Sequence, residues 1–410
     1  MARTLDRKLT AVLALTGAVA VGNVYFPQAL IAPVASGRGV STGAAAAIVS
    51  ATQLGYAAGI CLLVPLGDRV TPRTLILALL GASGASLLAA GAAPTLALLV
   101  AASVMIGLTT VFAQVISTLA ADMVAPERRG SVVGLLLSGS IAGILVARAF
   151  GGVLAEQLGW RAPYLAAAGA VAGIGIALAR LLPSTPARTR APYRTLVVAP
   201  LRLLTIEPAL RRSALYQATT FAGFTAAWSA IAQLLSGPTY GFGAEAAGLL
   251  ALVGVVTMVA TPIAGRVVDR RGPDGVNTIA LAASVATLPA LAAGGLGGTA
   301  GLVALALATL QLDVAMQCGM VANVARYYAV RPDARNRMQS AYMTCAYLGG
   351  TAGSLLGTLA YASVGWFGVA VVVALAPAPA LVLHLRPGRI AAPRRRYPPQ
   401  VAGEAPTGGR

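Results

Sequence analysis

Unbroken apolar runs close to twenty residues long recur along the whole chain, and they decide the fold class before any motif is considered. A helix needs roughly 20 apolar residues to cross the hydrocarbon core of a bilayer, and only helices or closed barrels satisfy their backbone hydrogen bonds there. The runs show no period-2 alternation, so they select helices. Twelve are counted, the first at 9 to 32 and the last at 366 to 385, which predicts a polytopic membrane protein. Composition agrees, because only 10% of the residues are charged against about a quarter in ordinary soluble domains.

Charge sets the expected orientation, since Lys and Arg are retained on the cytoplasmic side. With the N-terminus inside, all but three of the 30 basic residues fall in cytoplasmic segments. The exceptions are Arg38 and Arg161 outside and Arg148 within a span. Both termini are therefore expected in the cytoplasm, with the chain multi-pass in the plasma (inner) membrane. The net charge of +18 is then a matter of topology and anionic headgroups, and nucleic-acid binding has no support. Arg3, Arg7 and Lys8 followed by an apolar run and "AVA" mimic a cleavable signal peptide. Cleavage would leave an odd number of spans and contradict the charge pattern. Cys61, Cys318 and Cys345 lie in spans at no metal-ligand spacing, so neither a disulfide framework nor a metal site is expected.

An internal repeat organises the twelve spans. Residues 125–160 align without gaps on residues 331–366 at a constant offset of 206, pairing Pro126 with Pro332, Glu127 with Asp333, Arg129 with Arg335, Gly143 with Gly349, Gly151 with Gly357 and Trp160 with Trp366. A second pair, "DRVTPR" after the second span and "GRVVDRRG" after the eighth, matches Asp68 to Asp269 and Arg69 to Arg270 at offset 201. The expected layout is an all-α membrane protein with twelve transmembrane helices in two pseudo-symmetric six-helix bundles. Residues 1–182 form the first bundle, 183–213 a basic, proline-rich cytoplasmic linker, 214–385 the second bundle and 386–410 a disordered cytoplasmic tail. His384, ending the last span, reads as an interfacial residue rather than a proton carrier.

These features resemble a major facilitator superfamily transporter over nearly the whole sequence. The family's loop motif runs Gly-x-x-x-Asp-Arg-x-Gly-Arg. The second copy keeps Gly265, Asp269, Arg270 and Gly272, while the first keeps Asp68, Arg69 and Arg73 but has Val64 where the first glycine is expected. "VYFPQAL", "AQVISTLAADMVAPERRG" and "LDVAMQCGMVANVARYYAVRPDARNR" resemble the efflux branch of bacterial sugar, nucleoside and drug exporters. The resemblance implies rocking of two halves about a central path, with the fifth and eleventh spans at the interface between them. Strips of small residues, Gly139, Gly143, Ala147 and Gly151 in one and Gly349, Gly353 and Gly357 in the other, allow close helix packing. The strip in the fifth span sits where family antiporters carry a glycine-rich motif, although the usual Gly-Pro pair is missing. By resemblance, Asp68, Arg69, Arg73 and Asp122, with Asp269 and Arg270, form a cytoplasmic gate. An exposed ion pair contributes only about 0–1 kcal/mol, so a gate needs burial or a network; the competing reading is simple anchoring of topology by positive charge.

Two charged residues lie deep within the spans, Arg148 in the fifth and Asp313 near the middle of the tenth. An unpaired charge at the bilayer centre costs from about 2.5 to beyond 10 kcal/mol, so each is expected to face protein or water. Asp313, with Gln311 and Gln317 near it, is the candidate proton-coupling or substrate-binding acid; the alternative is a carboxylate fixed by neighbouring amides or hydroxyls. Arg148 aligns with Ser354, so the fold does not require an arginine there. A guanidinium carries five donors suited to bidentate contacts, and it is expected to pair with Asp313 or with an anionic group on the substrate. The alternative is a side chain snorkelling outward towards Glu156.

Asn23, Tyr25, Gln28, Gln114, Tyr216, Gln217 and Trp228 are further candidates for a polar and aromatic pocket in the first, fourth and seventh spans, the path-lining helices of the superfamily. No Gly-rich Lys/Ser-Thr phosphate loop occurs, so coupling to a proton gradient is the economical choice and no cofactor is expected. The reading is a monomeric, non-enzymatic secondary transporter of a small organic solute, an antiporter working by proton-coupled efflux. Facilitated or proton-coupled uptake of a sugar or metabolite is the alternative, and a non-transporting membrane receptor a remote one.

Overall fold

The computed structural model describes residues 7–123, 126–183, 189, 192–243, 245–331 and 334–386. Among them no strand occurs, and the chain runs as long helices joined by short turns. Nine helical segments are long and apolar enough to cross a membrane. They are α1 (Lys8–Arg38), α2 (Thr42–Arg69), α3 (Pro72–Ala92), α4 (Leu96–Ser117), α6 (Ala162–Leu181), α8 (Ala246–Arg271), α9 (Pro273–Gly294), α10 (Gly298–Tyr328) and α12 (Trp366–Leu385). Three further long helices, α5 (Pro126–Leu158), α7 (Pro208–Ser236) and α11 (Arg335–Val364), lie among them. The seventh helix thus begins at Pro208 rather than 214, and the basic segment before it contains a linker helix, Tyr193–Ile206. The repeat partners Pro332 and Asp333 and the tail from 387 onward lie outside the described residues.

The sequence explains the turns. Gly272 at φ 78° ends α8 and starts α9, and Gly365 at φ 75° does the same between α11 and α12. A side chain at either would meet the steric penalty of left-handed backbone, so single-residue reversals there favour glycine. Two helices are irregular in the middle. Pro27 starts a 3-10 turn at Phe26–Leu30 within α1, and a second 3-10 turn occupies Leu252–Val256 within α8. Both irregular turns pack against α5.

The small-residue strips fix the pairing of helices inside each half. On α11, a Cβ added to Gly353 would stand 2.0 Å from the Ala222 carbonyl oxygen, and one on Gly349 would stand 2.2 Å from that of Ala218. On α5, a Cβ on Gly143 would stand 2.2 Å from the Ala18 carbonyl oxygen. Helix α11 therefore lies backbone to backbone on α7, and α5 on α1, as packing without a hydrophobic driving force requires. The strips face into the halves, and other faces of the same helices meet across the interface.

Contacts between the halves gather where odd-numbered helices end and even-numbered helices begin, the end of the bundle away from the linker. Thr42 on α2 donates to Gln233 on α7 at 2.9 Å. Ser50 on α2 donates to Ser354 on α11 at 3.0 Å, and Ser354 shares a second hydrogen bond with Ser229 at 2.7 Å. Across the pseudo-symmetric seam, Gly248 on α8 lies against the backbone of Arg148 and Ala149 on α5. At the opposite end the linker helix bridges α2 and α11, with the Tyr193 hydroxyl donating to the Leu62 carbonyl at 2.6 Å.

A central cavity around Arg148 and Asp313

Arg148 and Asp313 both point into the protein. Each is buried, at 2% and 5% exposure, and both line a small cavity between the halves together with Tyr25, Phe224, Gly254 and Gln317. The cavity holds about 20 Å³, room for about one water molecule. The alternative in which Arg148 reaches outward towards Glu156 does not occur.

Aromatic rings surround the cation. The Arg148 Cζ atom lies 4.1 Å from the centroid of Trp228, 5.2 Å from Tyr25 and 5.6 Å from Phe224. Such contacts are worth about 2 kcal/mol or more when desolvated, which offsets part of the cost of burying the charge. The same indole serves Asp313 at its edge, with Nε1–H donating to Oδ1 at 3.4 Å. A Cβ added to Gly254, in the 3-10 turn of α8, would stand 2.7 Å from Oδ2. Glycine there gives the carboxylate its space. Arg148 and Asp313 thus share a cavity and a ring but do not form an ion pair; the ion pairs described are Arg326 with Asp274, and Arg331 with Glu207 at 3.4 Å. Nε and Nη2 of Arg148 have no acceptor, nor does Oε1 of Gln317 have a donor.

The other candidates divide. Tyr25 and Gln317 join the cavity, and Trp228 touches both of its charged residues. Gln311 does not, because its amide donates to the Ala283 carbonyl on α9 at 2.8 Å. Two residues before Asp313 is about 200° around a helix, so the two side chains leave opposite faces, whereas Gln317 at four residues shares the face. Gln217 accepts from Tyr342 at 2.8 Å, nearer the linker end. Gln114 donates to Tyr56 at 3.3 Å inside the first half. Asn23 lines a separate apolar groove between α1, α5 and α6, and Gln28 is buried in the 3-10 turn of α1 with neither amide atom partnered.

Of the gate residues, Arg73 donates to the Ala179 carbonyl on α6 at 2.6 Å, Asp68 is half-buried, and Arg69, Asp269 and Arg270 are exposed. The Asp122 side chain lies outside the described residues. His384 is buried within the protein at the end of α12. Its Nδ1 meets the Tyr216 hydroxyl at 3.0 Å and its Nε2 the Thr278 hydroxyl at 2.9 Å, because the end of α12 tucks between α7 and α9. Tyr216 is accordingly part of this cluster and not of the cavity.

Several contributors were not singled out in the sequence: Phe224 and Gly254 at the cavity, and Ser50, Gln53 and Tyr347 across the second seam. The Tyr56 and Tyr347 rings meet edge-on at 4.5 Å, and Gln53 lies against Gly350. The one available signal was the polar "SATQ" opening an otherwise apolar second span.

Comparison with known proteins agrees with this architecture. The putative uncharacterized transporter YgaY of Escherichia coli (strain K12) is 33% identical over 89% of this chain and 92% of that protein. The chloramphenicol resistance protein of Streptomyces lividans is 28% identical over 62% of this chain and 64% of its own length. Among solved structures, the nucleoside transporter NupG superposes with a TM-score of 0.72 at 13% identity, covering 92% of this chain and 99% of that one, a likeness of fold alone. The family model of the Major Facilitator Superfamily matches residues 13–331. The chain is a multi-pass membrane transporter and belongs to the Major Facilitator Superfamily.

Proposed function

We propose that the protein exports a small organic solute in exchange for protons, by alternating access, with Asp313 as the residue that carries the proton. The observation that carries this reading is the placement of Asp313: an acid at the middle of α10, buried between the halves, with one long neutral hydrogen bond and no ion pair. A group so held can change its charge without dismantling a network, and each change alters which arrangement of the halves is favoured. If the termini are cytoplasmic, as the charge distribution predicts, the sealed end faces outward, and parting of the halves at the linker end opens the cavity to the inside. Outward opening then parts the Thr42–Gln233 and Ser50–Ser354 contacts, and the acid and base residues ending α2 and α8 close the inner side. The resistance protein among the relatives supports the direction.

Inverted membrane vesicles test it. With an acid interior, a solute of this transporter accumulates and the accumulation collapses when the gradient is dissipated. Asp313→Asn is expected to abolish gradient-driven accumulation while gradient-free exchange of labelled for unlabelled solute persists. Gradient-driven accumulation surviving in Asp313→Asn would remove the proton-carrying role.

A further inference from the structure

We infer that the solute is a zwitterion with an apolar or aromatic body, its carboxylate taken by Arg148 and its ammonium group by Asp313. The inference rests on the transport reading above and names the substrate class of that site.

The first observation is the unused edge of Arg148. Nε and Nη2 are buried without an acceptor, and they are the two nitrogens whose N–H bonds run parallel on one side of the guanidinium, the fork that takes a carboxylate in bidentate fashion. The nearby protein carboxylate does not fill it. Asp313 is held away by the Trp228 edge and by its seat against Gly254, with the indole face on the cation at 4.1 Å.

The second observation is that the two charges come from different halves, Arg148 on α5 and Asp313 on α10, and both line the same cavity. A ligand with one charge would leave the other buried charge without a complement. A ligand carrying both ties the two halves together, and its body meets the rings of Tyr25, Phe224 and Trp228. Proton and ammonium then compete for one carboxylate, which makes exchange of solute for proton a property of the site itself. In the present conformation the cavity is water-sized, so the solute enters as the halves part at the linker end.

Four probes with one ring separate the charges: phenylalanine, 3-phenylpropionate, phenethylamine and phenylacetamide, with binding to the purified full-length protein measured by calorimetry. Phenylalanine is expected to bind at least tenfold tighter than each of the others. Arg148→Gln should erase its advantage over phenethylamine, and Asp313→Asn its advantage over 3-phenylpropionate, in protein that stays monodisperse and melts as a single transition. Equal binding of a singly charged or neutral probe, no preference for the zwitterion, or a preference that survives either substitution overturns the inference. The vesicle assay keeps the two readings apart. Proton-driven, Asp313-dependent accumulation of a non-zwitterionic solute leaves the transport reading standing and this one fallen. Residue-dependent zwitterion binding without proton-driven movement does the reverse.

Discussion

The two seams between the halves are related by the internal repeat, and they are chemically unlike. Arg148 on α5 and Ser354 on α11 occupy equivalent positions, one in each. The α2–α11 seam is neutral, with Ser50, Ser354 and Ser229 in one hydrogen-bonded chain, Tyr56 meeting Tyr347 edge-on and the Gln53 amide buried without a partner. On the α5 side a guanidinium is stacked on an indole, a carboxylate sits at the indole's edge, and donors lack acceptors. A seam of small hydroxyls parts with little electrostatic cost, since water replaces each bond it loses. A seam with an unanswered charge is incomplete until a ligand, water or proton completes it. On the proposed reading the difference separates two jobs that a symmetric pair of helices would share, with α2–α11 as a latch and the α5 side as the binding face.

The comparison breaks most completely if the latch never needs to open. With Cys61, Cys318 and Cys345 replaced by alanine, Ser50→Cys and Ser354→Cys together place thiols where two oxygens lie 3.0 Å apart. Joining them by oxidation or a short bifunctional reagent is expected to abolish transport, and a reductant should restore it in the oxidised sample. Full transport in the cross-linked protein would mean that the seam is static and the halves move elsewhere.

A smaller but still large effect is expected from making the two seams alike. Arg148→Ser copies the residue of α11 onto α5. Hydrogen bonds to charged groups are worth about 1.5–3 kcal/mol each, so losing a bidentate pair predicts transport down by about 100-fold or more. The measurement is the initial rate in vesicles normalised to the amount of folded protein, and a rate within threefold of the parent would make Arg148 a packing residue. Trp228→Phe is gentler. It keeps a ring under the cation and removes the one donor to Asp313, a bond already long at 3.4 Å. A loss of about tenfold in the proton-driven rate is expected, with exchange in the absence of a gradient less affected.

How much of this was legible beforehand follows the same division. A charge among aliphatics is conspicuous in any apolar run, so Arg148 and Asp313 stood out by the cost of burying them, and the mismatch with Ser354 marked the arginine as additional to the fold. The glycine strips were legible as close-packing surfaces, yet a strip does not say which helix it meets. The structure puts Gly353 on Ala222 and Gly143 on Ala18, inside the halves. The neutral seam was the least legible part. Ser50, Gln53 and Tyr347 are ordinary residues for a helix interior, and only the rotation of α2 against α11, set by the packing of all the other helices, brings them together. Gln217, Gln114 and Gln311 lie outside this cavity for the same reason: a polar side chain on an apolar helix announces a partner without naming it. The partners of His384 were not legible because nearness to a helix end in sequence does not say which neighbours that end tucks between.

The smallest effect tests the latch by weakening it. Ser354→Ala removes the hydroxyl that links Ser50 to Ser229, and neutral hydrogen bonds contribute about 0.5–1.5 kcal/mol each. Ser50 and Ser229 are then left as neutral hydroxyls, at a cost below that of a stranded buried charge. The closed arrangement should therefore lose about 1–2 kcal/mol relative to the open one, a roughly five- to thirtyfold shift in population by RT ln K, while the binding face is untouched. Transport should change by less than about fivefold in either direction, because rates depend on the barrier and not on the population alone. The shift itself is expected in the labelling of a cysteine placed at Thr42, beside Gln233 at the sealed end: with Ser354→Ala that thiol should react faster in the absence of solute. An unchanged labelling rate would place the energetic hold of the closed state on the α5–α8 side, where Gly248 lies against the Arg148 backbone, and would make the charged seam both binding face and latch.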